Sequence, residues 1–141
     1  MGGIILTLIG IAVVLFLIVI VTDGRYFGKR LMYWIYDKVG PAIFSGVSES
    51  AQWEALAERL KLFGHERILD VGTATGDLPL TLAALPDFEG DVVGVDWSPR
   101  MVEAARQTAE DRTLSHRAEF RVADIRDGLP FDDGAFDVVF C

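Results

Sequence analysis

Three aspartates, Asp70, Asp96 and Asp124, each close a short apolar run at the point where the chain breaks into a loop. Carboxylates in such positions accept hydrogen bonds from hydroxyl and amino groups and favour cations. The first lies in ILDVGTATGD, residues 68–77, which carries the pattern D-x-G-x-A-x-G from Asp70 to Gly76. Asp96 follows twenty positions beyond Gly76, at the tip of the next apolar run, where a carboxylate can accept from both hydroxyls of a ribose. One such acid would be unremarkable; three in successive strand-to-helix turns define a cleft. Two familiar nucleotide-binding patterns fail. Aligned at Gly72, a G-x-G-x-x-G fingerprint would meet Ala74 and Asp77 at its second and third positions, and Asp77 would push negative charge toward a pyrophosphate. A P-loop is excluded because no Gly-Lys-Ser/Thr follows.

The elements that position these acids alternate between apolar runs and helical patterns. Trp53, Leu56, Ala57 and Leu60 recur at helical spacing, and Gly64 suits a C-terminal stop. Strands are expected at Arg67–Val71, Asp91–Val95, Ala118–Val122 and Phe136–Cys141. Helices are expected at Asp77–Leu85, with Pro79 in the first turn, and from Pro99 to about Arg112, capped by Ser98. Strands separated by helical patterns imply βαβ units and a doubly wound parallel sheet. In such sheets ligands bind at the C-terminal ends of the strands, near the point where strand order reverses.

Before this part lies IILTLIGIAVVLFLIVIV, Ile4 to Val21, without a charged residue. As a helix its ~18 residues span roughly 27 Å, close to the hydrocarbon thickness of a bilayer. A signal peptide would need a basic start and a small-residue cleavage site, whereas the first basic residue is Arg25 and VIVTDG follows the apolar core. A retained transmembrane anchor is therefore expected over residues 1–22. An aromatic and basic juxtamembrane linker follows over 23–47 and the α/β domain over 48–141. Arg25, Lys29 and Arg30 follow the apolar stretch and no basic side chain precedes it, which places the domain in the cytoplasm by the positive-inside rule. Tyr26, Phe27, Tyr33, Trp34 and Tyr36 suit either the headgroup level or packing onto the domain. KVGPAIFSG, residues 38–46, reads as a hinge.

Composition narrows the partners. Thirteen basic against 21 acidic residues give a net charge of −8, which argues against a nucleic-acid surface. The single cysteine, Cys141, leaves no internal disulfide and fits a reducing compartment. His65 and His116 have no metal-ligand company, so no metal is expected.

The stretches ILDVGTATGD, VVGVDWSPRMVEAAR, FRVADIRDGLPF and FDVVF, in this order and spacing, resemble the class I S-adenosylmethionine-dependent methyltransferases. The likeness is to the broad group that includes the ubiquinone/menaquinone C-methyltransferases, and it covers roughly His65 to Cys141. The resemblance implies a Rossmann-like sheet, of which this chain would carry the first four of seven strands, and S-adenosylmethionine as cofactor. It implies that Gly72 and Gly76 shape the loop that approaches the cofactor's methionine and ribose, and that Asp70 contacts the methionine amino group. Asp96 would take the ribose hydroxyls, Trp97 would lie against the adenine, Asp124 would accept from the adenine amino group, and the Ile125 N–H would serve a ring nitrogen. Ala74 stands where the family usually has a middle glycine. No catalytic residue is assigned. The acceptor implied is a small molecule or a lipid, in keeping with a membrane anchor, and the chain reads as the N-terminal portion of a longer protein. Two alternatives stay open: a nicotinamide-dependent enzyme of the same fold, and a non-catalytic membrane protein with a degenerate Rossmann-like module.

Overall fold

A computed structural model describes residues 2–21, 29–44 and 50–141 of the chain. In order they form α1 (Gly2–Val21), α2 (Lys29–Phe44), α3 (Ser50–Leu60), β1 (Arg67–Val71), α4 (Asp77–Ala84), β2 (Asp91–Asp96), α5 (Pro99–Asp111), β3 (Ala118–Val122), a 3-10 turn at Ile125–Asp127 and β4 (Val138–Phe140). The chain divides into two compact units, residues 1–38 and 39–141, so the division falls inside α2.

The sheet of the second unit has the order β3-β2-β1-β4, and every pair is parallel. The chain steps outward from β1 to β2 to β3 and then returns to the far side of β1, so the strand order reverses at β1. Its two central strands, RILDV and DVVGVD, are buried almost throughout, as parallel strands covered on both faces must be. The period of two sorts their side chains. Ile68 and Val92 pack with Leu78, Leu82 and Phe88 and are flanked by Trp53 and Leu56 of α3. Phe120 joins Leu80, Ala83, Val102 and Ala105 of α4 and α5. Leu69, Val93 and Val95 face the other way, against Ala123, Leu129, Phe131 and Phe136. In that cover Phe131 and Phe136 meet edge to face at 4.9 Å, with the Arg67 guanidinium over the Phe136 ring at 5.1 Å and that of Arg121 over Phe131 at 5.4 Å.

The helices begin as their sequences direct. Ser98 caps α5 by accepting from the Met101 N–H, with Pro99 in the first turn. α4 has no side-chain cap; it starts from Gly76 in the left-handed region, with Asp77 in the first turn, where a negative charge favours the helix dipole.

Two expectations change. Residues 38–44 of the expected hinge are helical, within α2, and Pro41 lies inside that helix; Gly46 lies outside the described residues. Gly40 is buried, and a Cβ built on it would fall 2.2 Å from the terminal methyl of Met101. That close packing outweighs the turn-forming tendency of Gly-Pro. The second change concerns the anchor. Side chains of α1 are described continuously over residues 5–18, and among the described residues no helix is long and apolar enough to cross a membrane. The backbone of α1 is nonetheless helical over 20 residues. The expected spanning helix is not supported by these features. Arg25, Tyr26 and Phe27, invoked for its flank, lie outside the described residues.

Candidate functional site

The register of the sheet fixes the three acids along its C-terminal edge. Asp70 pairs with Gly94, Asp96 pairs with Val122, and the N–H of Ala123 continues the ladder to the Asp96 carbonyl at 3.0 Å. Asp70 and Asp96 lie on neighbouring strands, and Asp124 follows the end of the third.

Between β1 and α4 the chain folds over the end of β2. The N–H groups of Gly72 and Thr73 both donate to the Val95 carbonyl, at 2.8 and 3.0 Å, and Gly76 closes the turn by donating to the Thr73 carbonyl. Gly72, Ala74 and Gly76 all have positive φ, 80°, 48° and 82°. For the two glycines this costs little; for Ala74 it carries the steric strain of a left-handed L-residue. The strained turn aims the Ala74 N–H at Asp96 Oδ2, 3.0 Å away, while Oδ1 accepts from the Ser98 N–H at 2.9 Å. Asp96, only 2% exposed, thus ties the loop after β1 to the start of α5. Its assignment as ribose acceptor requires it to serve this structural role as well.

The two loop glycines differ. A Cβ on Gly72 would meet nothing within 4 Å, so its side faces open space. A Cβ on Gly76 would strike the Phe120 ring at 2.6 Å, and one on Gly94 would strike both that ring and the Thr73 hydroxyl at 2.7 Å. Gly76 therefore shapes the loop from inside, by admitting Phe120, whereas Gly72 leaves room at the cleft.

Burial pushes the Asp70 carboxyl above its ordinary range; the Thr73 hydroxyl beside it offsets part of this, and the charge of Asp96 adds to it. A buried acid held up in this way gains from any cation brought to it. Next to it, the hydroxyl oxygen of Thr75 is buried and has no hydrogen-bond partner among the described residues. Buried polar atoms are rarely left so. Sequence reasoning missed both threonines; the only signal is that they alternate with the small residues of the loop, where side chains must turn inward.

Asp124 is unlike the other two acids. It caps the 3-10 turn by accepting from the Arg126 N–H at 3.0 Å, and its carboxylate is gripped by the Arg126 guanidinium. Ile125 is exposed in that turn, and Trp97 is half-buried between Asp96 and Ser98. The structure thus unites Asp70, Gly72 and Asp96 around one loop and sets Asp124 and Ile125 on the neighbouring strand end. Among the described residues no group of His, Cys, Asp and Glu could hold a metal ion. A groove of about 380 Å³ beside Lys61, Gly64, Leu85 and Asp87 precedes the strands and is separate from this cleft.

The residues fit a ligand that carries cations, hydroxyls and a heterocycle: two acids, the unpartnered Thr75 hydroxyl, and an open glycine at the point of strand reversal. Fold and site together define a Rossmann-like cofactor-binding domain. The family model described as "Methyltransferase domain" matches residues 62–141, and the chain belongs to that family, the class I S-adenosylmethionine-dependent methyltransferases. It is similar to the ubiquinone/menaquinone biosynthesis C-methyltransferase UbiE of Geobacter sp. (strain M21), 35% identical over 103 residues, which are 72% of this chain and 43% of the relative. Among solved structures it resembles the [4+2]-cyclase SpnF, with a TM-score of 0.64 and 30% identity over 77% of this chain and 47% of the other. It also resembles a geranyl diphosphate methyltransferase in complex with S-adenosylmethionine, with a TM-score of 0.57 and 25% identity over 64% and 36%. The chain spans less than half the length of these proteins.

Proposed function

We propose that this chain forms the cofactor-binding part of an S-adenosylmethionine-dependent methyltransferase whose acceptor is a small lipophilic molecule of the quinone-precursor type. The observation that carries the reading is the buried pair Asp70 and Asp96 around the open Gly72 loop. The bound cofactor would supply an electrophilic methyl group on a sulfonium. Asp70 would hold its ammonium. Asp96 would accept from its ribose hydroxyls, and the first N–H groups of α4 would meet its carboxylate. At the other end Asp124, Ile125 and Trp97 would receive the adenine. In the transfer, a nucleophilic atom of the acceptor forms a bond to the methyl carbon as the carbon–sulfur bond breaks, and its electron pair stays on sulfur. The chain's contribution is to hold the donor for in-line attack; no described side chain is assigned as a base.

A lipophilic acceptor is supported by the likeness to UbiE and by the character of the first helix. α1 is 20 residues long with no charge in its first or last turn, about 30 Å of helix, and its described side chains, such as Leu6 and Leu8, are exposed. We place it as a single-pass anchor, with Arg25, Lys29 and Arg30 on the cytoplasmic side together with the domain. The likeness to a cyclase favours a second reading, because the same fold then serves a reaction without methyl transfer.

The protein in its native membranes, given cofactor labelled in the methyl group, is expected to move label into the organic-solvent extract, and an Asp70→Asn variant should not. Cofactor binding without any transfer of label would favour the second reading, and no binding at all would sink both. Release of the protein by alkaline carbonate would sink the anchor independently.

A further inference from the structure

We infer that Arg126 sets the affinity of the cleft for adenine, because its guanidinium occupies the Asp124 carboxylate that an adenine amino group must reach. This rests on the S-adenosylmethionine reading. Asp124 Oδ1 accepts from the Arg126 N–H at 3.0 Å and from its Nε at 2.9 Å; Oδ2 accepts from Nε at 3.0 Å and from Nη2. A carboxylate offers about four lone-pair positions, and three donors of one arginine, the backbone N–H, a shared Nε–H and Nη2, already engage both of its oxygens. The backbone bond belongs to the cap of the 3-10 turn and stays. The guanidinium is the part that can leave: the side chain of Arg126 is 60% exposed and that of Asp124 23%. The pair persists at any working pH, since the Arg126 guanidinium and N–H hold the Asp124 carboxyl down at about 2.

An incoming amino group therefore binds only the fraction of molecules in which the guanidinium has swung out, and the apparent affinity falls by that fraction. Exposed ion pairs are weak, so the closed form should lead by no more than about fivefold. The guanidinium thus acts as a latch on the adenine end and leaves the methionine end untouched.

The test is calorimetric titration of the whole protein and its Arg126→Met variant with S-adenosylhomocysteine and with S-inosylhomocysteine, whose ring carries an oxygen in place of the amino group. The variant should bind S-adenosylhomocysteine about two- to fivefold more tightly and the inosine compound no more tightly than the parent does. Arg126→Lys, which cannot grip both oxygens at once, should lie between them. Unchanged or weaker binding of S-adenosylhomocysteine by Arg126→Met would overturn the latch while leaving the cofactor reading intact. Failure of both proteins to bind either compound would instead remove the cofactor reading and the latch with it.

Discussion

Asp96 and Asp124 occupy equivalent places in the sequence, each just beyond a buried parallel strand, yet they live in different surroundings. Asp96 is buried and each of its oxygens accepts a backbone N–H from a different loop. Asp124 stands at the rim, held by the residue two places on. The difference follows from the strands that carry them. β2 has a neighbour on each side, so its end is roofed by the loop after β1 and by the turn into α5. β3 is the outer strand among those described, and its end meets solvent. The same residue type is therefore a structural tie on the inner strand and an adjustable contact on the outer one.

The largest effect should come from breaking the tie. Asp96→Ala removes the carboxylate oxygens that accept from the N–H groups of Ala74 and Ser98, in a part-buried to buried setting. A loss of about 2–5 kcal/mol is expected, read as a fall in Tm of roughly 10 °C or more together with loss of cofactor binding. A variant that melts like the parent would mean that the inner acid is as dispensable as the outer one.

Asp70→Asn separates function from stability. The carboxylate is costly to the free protein, because burial raises its pKa. Between its ordinary value of 3.8 and that raised value the folded chain binds more protons than the unfolded one, so stability of the free protein falls as pH rises through the window. The amide removes this slope and should melt no lower than the parent at pH 8. Binding runs the other way: a cationic ligand needs the ionised form, so parent affinity should climb as pH rises through the same window. The variant should show no such climb and should bind about 10- to 100-fold more weakly at pH 8. Equal affinity of the two proteins at pH 8 would remove Asp70 from the site.

The strand ends were readable because buried parallel strands are apolar runs bounded by polar residues. Arg67–Val71 and Ala118–Val122 are found as expected, and β4 is shorter than expected, at Val138–Phe140. The positions of the three acids were readable for the same reason. Their partners were not. The Ala74 N–H reaches Asp96 from an alanine with a left-handed φ, which the residue type itself does not announce and only the family's usual glycine at that place hints at. The fit of Phe120 against Gly76 and Gly94 joins residues far apart in the chain. α2 runs through Gly40-Pro41 with Gly40 close against Met101, a contact no local pattern encodes.

The strain at Ala74 gives a smaller effect of opposite sign. Glycine there keeps the N–H that donates to Asp96 and relieves the left-handed cost, though it also frees the unfolded chain. Ala74→Gly should raise stability by up to about 1 kcal/mol, measured by denaturant midpoint at unchanged m. A destabilised variant would mean that the alanine methyl contributes more through packing than its φ costs.

The smallest effect belongs to the outer acid. Asp124→Asn keeps an oxygen that can accept the Arg126 N–H and, in the proposed site, the adenine amino group. What it loses is the charge that holds the guanidinium, and an exposed pair of this kind adds little to folding. Tm should therefore move by less than about 2 °C. Affinity for S-adenosylhomocysteine should stay within about threefold, because the weaker acceptor is offset by removal of its competitor. Adding salt screens the pair in the parent, so the two proteins should converge further as ionic strength rises. A drop in Tm approaching that of Asp96→Ala would erase the distinction between inner and outer strand ends, and with it the idea that the rim is free to adjust to a ligand.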